Sequence, residues 1–298
     1  MGFFFPTKLN QNQDQMKSTN SFKLLLLLFM ITGQVGLSQV KIGGKVGYSI
    51  GRITDNSDNI YTEDYESSSG VDFGVIFEFP MSELFSLQTE ILYTQRGGER
   101  QGLQPIPTAA LSQLGSIDQL NYMLSLQGKD PVTDTNPMYA DFTNVSELNY
   151  LEIPLLAKLG WGDEWRFYVE AGPYIGFLVR SNQVTSGTSL ITLDAGGTDP
   201  LVVANPNYDP SDPSQGPLWV PVPPQSFDAE TDTKGELNTL NYGFHAGSGL
   251  IKKFAEKHEV FLGFRGSWGA KTIQKDRDYG ESHIGGLVFS VGYMYKLQ

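Results

Sequence analysis

The sequence predicts an all-β protein: an eight-stranded antiparallel transmembrane β-barrel with short periplasmic turns and long extracellular loops. Eight segments alternate between apolar and polar residues, and the connections between them are alternately short and long. Each segment has about 9 to 15 residues, and a tilted transmembrane strand needs about 9 to 11. An export leader precedes the segments, which is what a barrel destined for an outer membrane requires.

The clearest segment covers residues 165–180. Its odd positions, from Trp165 to Val179, carry no charge, whereas its even positions mix charged residues, glycine and tyrosine. Pro154 and Pro173 each remove a hydrogen bond from a strand ladder, so we expect a local bulge at each. The other seven predicted strands are less regular and cover residues 40–51, 71–79, 84–95, 149–159, 241–251, 259–269 and 283–297.

The connections between these strands alternate in length without exception. Three are short, at residues 80–83, 160–164 and 252–258. Barrels with both termini in the periplasm have short periplasmic turns and longer outside loops. The pattern therefore assigns the long connections to the cell surface, and these are residues 52–70, 96–148, 181–241 and 270–282.

Residues 1–38 are predicted to be a signal peptide, with Met16 as an alternative start. Lys17 and Lys23 supply the positive region, and the run from Leu24 to Ile31 supplies a short apolar region. Cleavage after Ser38 would leave residues 39–298 as the barrel. The apolar run is shorter than the roughly 18 residues of a membrane-spanning helix, so the leader is expected to be removed rather than retained as an anchor.

Composition excludes several classes of function. The chain has 298 residues and a formal charge of −12, so it would repel a phosphate backbone and we expect no nucleic-acid partner. It has no cysteine, which excludes thiolate metal sites, iron–sulfur clusters and a cysteine nucleophile. His245, His258 and His283 are the only histidines, and none has a serine or carboxylate in catalytic spacing. We therefore expect neither an enzyme nor a bound metal or cofactor.

A soluble lipocalin-like barrel is the main structural alternative, because it also has eight strands and one apolar face. Its apolar side chains would point inward, whereas those of a membrane barrel point outward. The apolar faces here are strongly aromatic, and the opposite faces are rich in glycine, as a narrow interior requires. Aromatic residues also fall near the strand ends, as in the girdles of membrane barrels: Tyr48, Phe85, Tyr93, Trp165, Trp268 and Tyr295.

With the polar faces inside, charged residues form a predicted lumen network. A Lys or Arg on the lipid face at midplane would cost about 2–4 kcal/mol, which favours the interior. A salt-bridged plug is the simpler interpretation; a gated ion path or a catalytic cluster are the alternatives. The candidates at similar heights are Lys45, Glu90, Glu152, Glu170, His245 and Arg265, and nearer the turns are Lys41, Glu78, Lys158 and Arg166.

The long loops are acidic and contain two further features. Leu111, Leu114, Ile117, Leu120 and Leu124 recur at helical spacing within residues 108–126, which predicts an amphipathic helix packed over the barrel mouth or on the third loop. The proline-rich segment 200–224 presents Trp219, a candidate surface contact unless it packs on that helix.

The first loop resembles a cation-binding loop only in part. Asp55, Ser57, Asn59 and Glu66 follow the spacing of a calcium-binding EF-hand, but Ile60 stands where glycine is required. We expect at most loose divalent cations at the acidic loops.

Two motifs resemble a known family. The run Tyr150-Leu151-Glu152-Ile153-Pro154-Leu155-Leu156-Ala157-Lys158, followed by residues 168–176, is similar to the central signature of the PorT-like outer-membrane β-barrel proteins ("porin family") of Bacteroidetes-type bacteria. Residues 41–49 and 289–293 resemble that family's first and last strands, whereas the two longest loops match nothing in it. The resemblance implies an eight-stranded barrel in the cell outer membrane and, through one namesake, a link to a protein secretion system.

Together these observations predict an integral outer-membrane protein with a structural or surface-interaction role through its acidic extracellular loops. Outer-membrane lipid is the expected partner, with other envelope or secretion-system proteins as further candidates. An accessory component of a secretion assembly is the first alternative, and a narrow gated channel is the second.

Overall fold

The computed structural model describes residues 40–55, 59–111, 116–276 and 280–297. The predicted signal peptide, with Met16, lies outside these residues, as do Ser57 and Leu114. Among the described residues, no helix combines the length and the hydrophobicity that crossing a membrane requires.

The fold is a closed barrel of eight antiparallel strands, as predicted. Each strand pairs with the next along the chain, and the last pairs with the first, so the main sheet closes on itself. Every predicted strand is present, with its ends moved by a few residues. The strands are β1 (Lys41–Asp55), β2 (Glu66–Pro80), β3 (Phe85–Arg100), β4 (Thr143–Trp161), β5 (Trp165–Ser186), β6 (Leu240–Ala255), β7 (His258–Gly269) and β8 (Ser282–Lys296).

Three strands continue well into the regions predicted as loops. Pairing of β3 with β4 extends to Arg100 and Asn144, and pairing of β4 with β5 extends to Thr143 and Ser186. A further short strand, Ala229–Asp232, pairs with the upper part of β5. The predicted loops at 96–148 and 181–241 are therefore shorter, because part of each is sheet that rises above the barrel.

The bulges expected at the two prolines are absent, and that prediction was wrong. The register between β4 and β5 is the same on either side of Pro154, and β5 pairs with β6 in one register through Pro173. The β4–β5 register shifts instead between Asn149 and Tyr150. The carbonyl of Pro154 accepts a hydrogen bond from the Thr89 hydroxyl (2.9 Å), which satisfies this acceptor without replacing the donor that proline lacks.

Burial alternates along the strands and identifies the two faces. In β5 the odd residues from Phe167 to Val179 face outward, while the even residues from Tyr168 to Leu178 are buried inside. Adjacent strands approach closely at the glycines of the inner face: a Cβ atom on Gly172 would lie 2.0 Å from the carbonyl oxygen of Leu155 on β4. This is the reverse of the lipocalin-like arrangement, because large apolar side chains stand exposed around the outer wall, among them Phe73, Ile91, Leu155, Ile175, Phe264, Phe289 and Val291.

The two longest connections form what we call the loop domain, the described parts of residues 101–142 and 187–239. It contains α1 (Thr108–Leu111), α2 (Ile117–Leu126) and a 3-10 turn, Pro213–Gln215. A small sheet joins the two connections through the strands Leu103–Ile106, Met138–Asp141 and Ile191–Thr192. Two short antiparallel pairings complete it: Val202–Ala204 with Trp219–Pro221, and Thr188–Ser189 with Gln225–Ser226.

Candidate functional site

The centre of the barrel is organised around Glu90, a fully buried carboxylate on β3. Arg265 on β7 donates two hydrogen bonds to it, at 2.9 and 2.7 Å, and the Lys45 ammonium lies 3.0 Å from the same group. Arg265 also donates through Nε to Glu170 (2.7 Å), and Lys45 lies 3.4 Å from Asp72. Five charged side chains from five strands therefore meet in this middle layer.

A lower layer lies toward the short turns. The Lys41 ammonium bonds both carboxylate oxygens of Glu259, at 3.0 and 2.8 Å, and lies 3.4 Å from Glu78. Lys158 bonds Glu78 (2.8 Å) and the Gln88 side-chain carbonyl (3.0 Å). Gln88 in turn donates to Glu90, which links the lower layer to the middle one.

An upper layer lies toward the loop domain. Glu152 on β4 receives a paired contact from Arg96, with Nη1 at 2.7 Å from one oxygen and Nη2 at 2.9 Å from the other. His245 Nε2 lies 3.4 Å from Glu152, and the His245 ring stacks on Tyr174 with ring centroids 4.3 Å apart. Apart from Glu152, no described side chain hydrogen-bonds to the ring nitrogens of His245, so they meet no serine nucleophile.

The three layers include all but one of the predicted lumen residues. Arg166 is the exception: it is half-buried at the turn end and donates to the backbone carbonyl of Glu83. The residues brought together are Lys41, Lys45, Glu78, Glu90, Glu152, Lys158, Glu170, His245 and Arg265.

Sequence reasoning missed four members of the network: Asp72, Gln88, Arg96 and Glu259. Each lies on the inward face of its strand, so the two-residue period that located Glu90 could have located them. Arg96 was assigned to a loop, whereas β3 continues to Arg100.

Side chains fill the interior. The cavity within the middle layer measures about 10 Å³, the space of one water molecule. On the loop side, an apolar cluster covers the charged interior of the barrel. We call this cluster the upper seal, and it consists of Ile53, Leu148, Tyr150, Leu178, Ile273 and Ile284. A second apolar cluster packs beside the lower layer: Ile76, Tyr168, Ile251, Phe261 and Met294. This filling is what an eight-stranded barrel geometry permits, and it leaves no room for general diffusion.

The loop domain has a hydrophobic core of its own. Leu111 of α1 and Leu124 of α2 are buried in it, with Ile117 and Leu120 packed against them. The predicted amphipathic segment is therefore two helices, and it packs on the third loop rather than only over the barrel mouth. The buried residues, drawn from both long connections, are Ile106, Leu111, Leu124, Val132, Met138, Ala140, Ile191 and Leu201.

Trp219 lies in the hairpin of the proline-rich segment, paired with Ala204. It is half-buried, it is not among the residues of the loop-domain core, and its neighbour Leu218 is exposed. The side chain of Asn205 donates to the carbonyls of Gln215 (2.8 Å) and Pro217 (3.1 Å), which holds the tip of this hairpin together. The described contacts therefore leave part of Trp219 available at the surface.

Several acidic side chains of the loop domain accept hydrogen bonds from residues close to them in the chain. The carboxylate of Asp194 accepts backbone N–H bonds from Asp199 (2.6 Å), Thr198 (2.9 Å) and Gly196 (3.1 Å). These bonds, with that of Asp199 the largest contribution, hold the pKa of the Asp194 carboxyl below its ordinary value. The Ser211 and Ser214 side chains likewise lower the pKa of Asp209 and Asp212, respectively.

A closed barrel with an apolar outer wall and an ion-paired interior defines an integral barrel protein of the membrane. The sequence model of the outer membrane protein β-barrel domain matches residues 11–271. The chain therefore belongs to that family of outer-membrane barrels. No curated protein sequence matches it.

Several solved barrels are similar to the chain in structure. Neisserial surface protein A has a TM-score of 0.36 and 10% identity, with 87% of this chain and 97% of that chain covered. Outer membrane protein OprG of Pseudomonas aeruginosa has a TM-score of 0.37 and 8% identity, with 87% and 95% covered. The attachment invasion locus protein Ail of Yersinia pestis has a TM-score of 0.32 and 8% identity, with 86% and 99% covered.

Proposed function

We propose that this outer-membrane barrel acts as a rigid, closed support that presents its loop domain to a partner at the cell surface. The observation that carries the proposal is the shared apolar core of the two longest connections. Loops that only link strands need no common core, whereas a folded domain keeps a contact surface in one conformation and so lowers the entropy lost on binding.

The proposal includes the orientation and the route of export. A signal peptide within residues 1–38 would export the chain, the loop domain would face outward, and the short turns would face the periplasm. The alternation of short and long connections supports this orientation, as it is typical of outer-membrane barrels. Outer-membrane lipid surrounds the barrel, divalent cations bind loosely at the acidic loops, and a chain of charge −12 repels nucleic acid.

The contact surface that we propose is the hairpin of residues 202–221. Its prolines restrict the backbone before binding, and Asn205 bridges its tip. Trp219 offers a large, partly exposed aromatic side chain, the type that most often dominates the energy of a protein interface.

The test is a cross-linking experiment on intact cells that display the wild-type chain or a variant. Trp219→Ala should lose about tenfold or more of the captured partner, since an interface anchor contributes about 2 kcal/mol or more. Trp268→Ala is the matched control, because Trp268 is equally aromatic but faces outward on the wall of β7. Equal capture by wild type and Trp219→Ala would contradict the proposed contact.

A role as an accessory component of a protein secretion assembly is the second candidate. It rests on the PorT-like similarity of residues 150–158 and 168–176, which lie in β4 and β5 rather than in the loop domain. An assembly that recognises the barrel should therefore co-purify with a chain from which residues 187–228 are deleted. Loss of every partner in that deletion would favour the loop-domain function instead.

A narrow gated channel is the remaining alternative, and the filled interior argues against it. We expect no steady conductance when the purified barrel is inserted in planar bilayers. We also infer no catalytic role, since His245 pairs with Glu152, His258 bonds the Tyr293 hydroxyl, and neither is bonded to a serine.

A further inference from the structure

A short strand above the barrel has one edge that pairs with no other strand of the described chain. This strand, Ala229–Asp232, lies beside β5 in the position that β6 occupies lower down, because the pairing of β6 with β5 ends at Leu240 and Phe177. It stands at the end of the strand order, and among the described residues β5 is its one neighbour. We call it the edge strand, and all four of its residues are exposed.

The hydrogen bonds on either side of the edge strand show which of its backbone groups point away from β5. The Phe227 amide donates to the Gly187 carbonyl at 2.8 Å, and the Thr233 amide donates to the Ser181 carbonyl at 3.1 Å. In an antiparallel pair the hydrogen-bonded residues recur at every second position, so the odd-numbered residues between these two direct their N–H and C=O groups toward β5. The N–H and C=O groups of Glu230 therefore point to the open side.

The open side offers the groups that a further strand requires. By the same alternation, the backbone groups of Asp228 and Asp232 also point away from β5. Donors and acceptors thus recur along the open side at the spacing of a strand ladder, and such an edge is a template for the addition of an extended segment. The added segment would extend the sheet that β3, β4 and β5 form above the barrel.

The side chains along the open edge are acidic and indicate which segment fits. Asp228, Glu230 and Asp232 occupy alternate positions and are exposed, and Lys234 is the first cation that follows. Glu230 pairs with Arg180 at 3.2 Å, but both side chains keep about 60% of their surface exposed. A second copy of the edge strand, added antiparallel around Glu230, would place carboxylates opposite carboxylates, which is destabilising. The edge therefore disfavours pairing with itself and favours lysine or arginine at alternate positions of the added segment.

We propose that the edge strand is a docking site for an extended basic segment of a partner protein, which adds to the sheet as a further strand. Backbone hydrogen bonds at Glu230 hold the segment in register, and its alternate basic side chains meet the carboxylates of Asp228, Glu230 and Asp232. The edge strand belongs to the loop domain, so the inference rests on the proposed display of that domain at the cell surface. It does not require the contact at Trp219.

The test uses the full chain folded in detergent micelles and a fluorescent, acetylated peptide of about nine residues in which lysine alternates with threonine. Fluorescence anisotropy measures the dissociation constant of the peptide. Glu230→Gln and Glu230→Pro both remove the carboxylate, but proline also removes the outward N–H, and a sheet edge tolerates proline where the N–H faces solvent. Glu230→Gln should weaken binding about threefold, as expected for an exposed charge pair. Glu230→Pro should weaken it about tenfold further, because a carbonyl of the peptide loses its donor.

A second comparison changes the peptide instead of the protein. Methylation of the backbone nitrogens of its lysines keeps every charge but removes the donors that face the edge strand, and should weaken binding to wild type about tenfold. Trp219→Ala should bind the unmodified peptide as wild type does, which separates this site from the contact proposed at the hairpin. Heat-dependent mobility on gels confirms that each variant is folded.

Three results would overturn the proposal. Equal binding of the methylated and unmodified peptides would show that charge alone makes the contact. Equal binding by Glu230→Pro and Glu230→Gln would show that the open N–H takes no part. No binding of the unmodified peptide to the wild-type chain would exclude the docking site itself, whereas the capture of a partner through Trp219 on intact cells would be unaffected.

Discussion

The barrel interior and the loop-domain core bury opposite kinds of side chain. The barrel surrounds Glu90, Arg265 and Lys45 with an apolar outer wall, while the loop domain surrounds Leu124 and Met138 with an acidic exterior. The difference follows from the surroundings: hydrocarbon stabilises apolar residues on the outside of the barrel, whereas water drives the same residues inside the loop domain. The upper seal separates the charged interior of the barrel from the loop domain, because its apolar residues close that interior on the loop side.

The largest effect is expected from breaking the interior of the barrel. Glu90→Gln leaves Arg265 and Lys45 buried without their shared counter-charge, so the free energy of unfolding should fall by about 3–5 kcal/mol. Urea titration of the barrel in detergent micelles, followed by gel mobility, measures this change. Glu164→Gln is the control: its ion pair with Lys252 is largely exposed and should contribute at most about 1 kcal/mol. Equal losses in the two variants would mean that the buried network does not hold the barrel.

A smaller and more local effect is expected from the loop domain. Leu124→Ala removes a fully buried side chain of α2 and should destabilise this domain by about 2–5 kcal/mol, while the barrel keeps its heat-dependent gel mobility. Limited proteolysis of the folded protein should then cut residues 101–142 faster. Leu126→Ala, in the same helix but 61% exposed, should leave the cleavage rate as in wild type. Unfolding of the barrel together with the loop domain would show that the two regions are not independent.

The smallest expected effect is a pH dependence confined to the loop domain. The hydrogen bonds to Asp194 lower its pKa in the folded state, so its stabilising contribution is present above the ordinary value of 3.8 and is lost as pH falls through the folded value. The amide resonance of Thr198, followed by NMR, should shift with a midpoint below 3.8. Asp194→Asn should abolish that shift, whereas Asp130→Asn, an exposed change nearby, should preserve it. A midpoint above 3.8 would show that these hydrogen bonds do not form.

The sequence located all eight strands because the lipid and the narrow interior impose a strict two-residue period, clearest in residues 165–180. The same period selected Glu90, Glu170 and Arg265 as interior residues. The two-residue period does not predict which of these residues form ion pairs. Glu90 and Arg265 are 175 residues apart in the chain, and only the strand order and register bring them together. It also misjudged the strand ends, because β3 to β5 rise above the membrane, where no lipid enforces alternation.

The loop domain was the least predictable region. Helical spacing of Leu111, Ile117, Leu120 and Leu124 indicated an apolar face, but not the residues that cover it. Its core combines residues of two loops separated by β4 and β5, including Met138 and Leu201, and short strands of two to four residues carry no readable period. Pro154 gave a misleading signal, since the register between β4 and β5 continues through it without a bulge.

The most direct test of a closed barrel carrying an outward-facing folded domain is protease treatment of intact cells, followed by gel analysis with and without heating. We predict that cleavage from outside occurs only within the four long connections, chiefly in residues 101–142 and 187–239, and that the unheated protein migrates faster than the heated one. Cleavage from outside at the short turns, residues 162–164 or 256–257, would reverse the orientation. A mobility that does not change on heating would contradict the closed barrel itself.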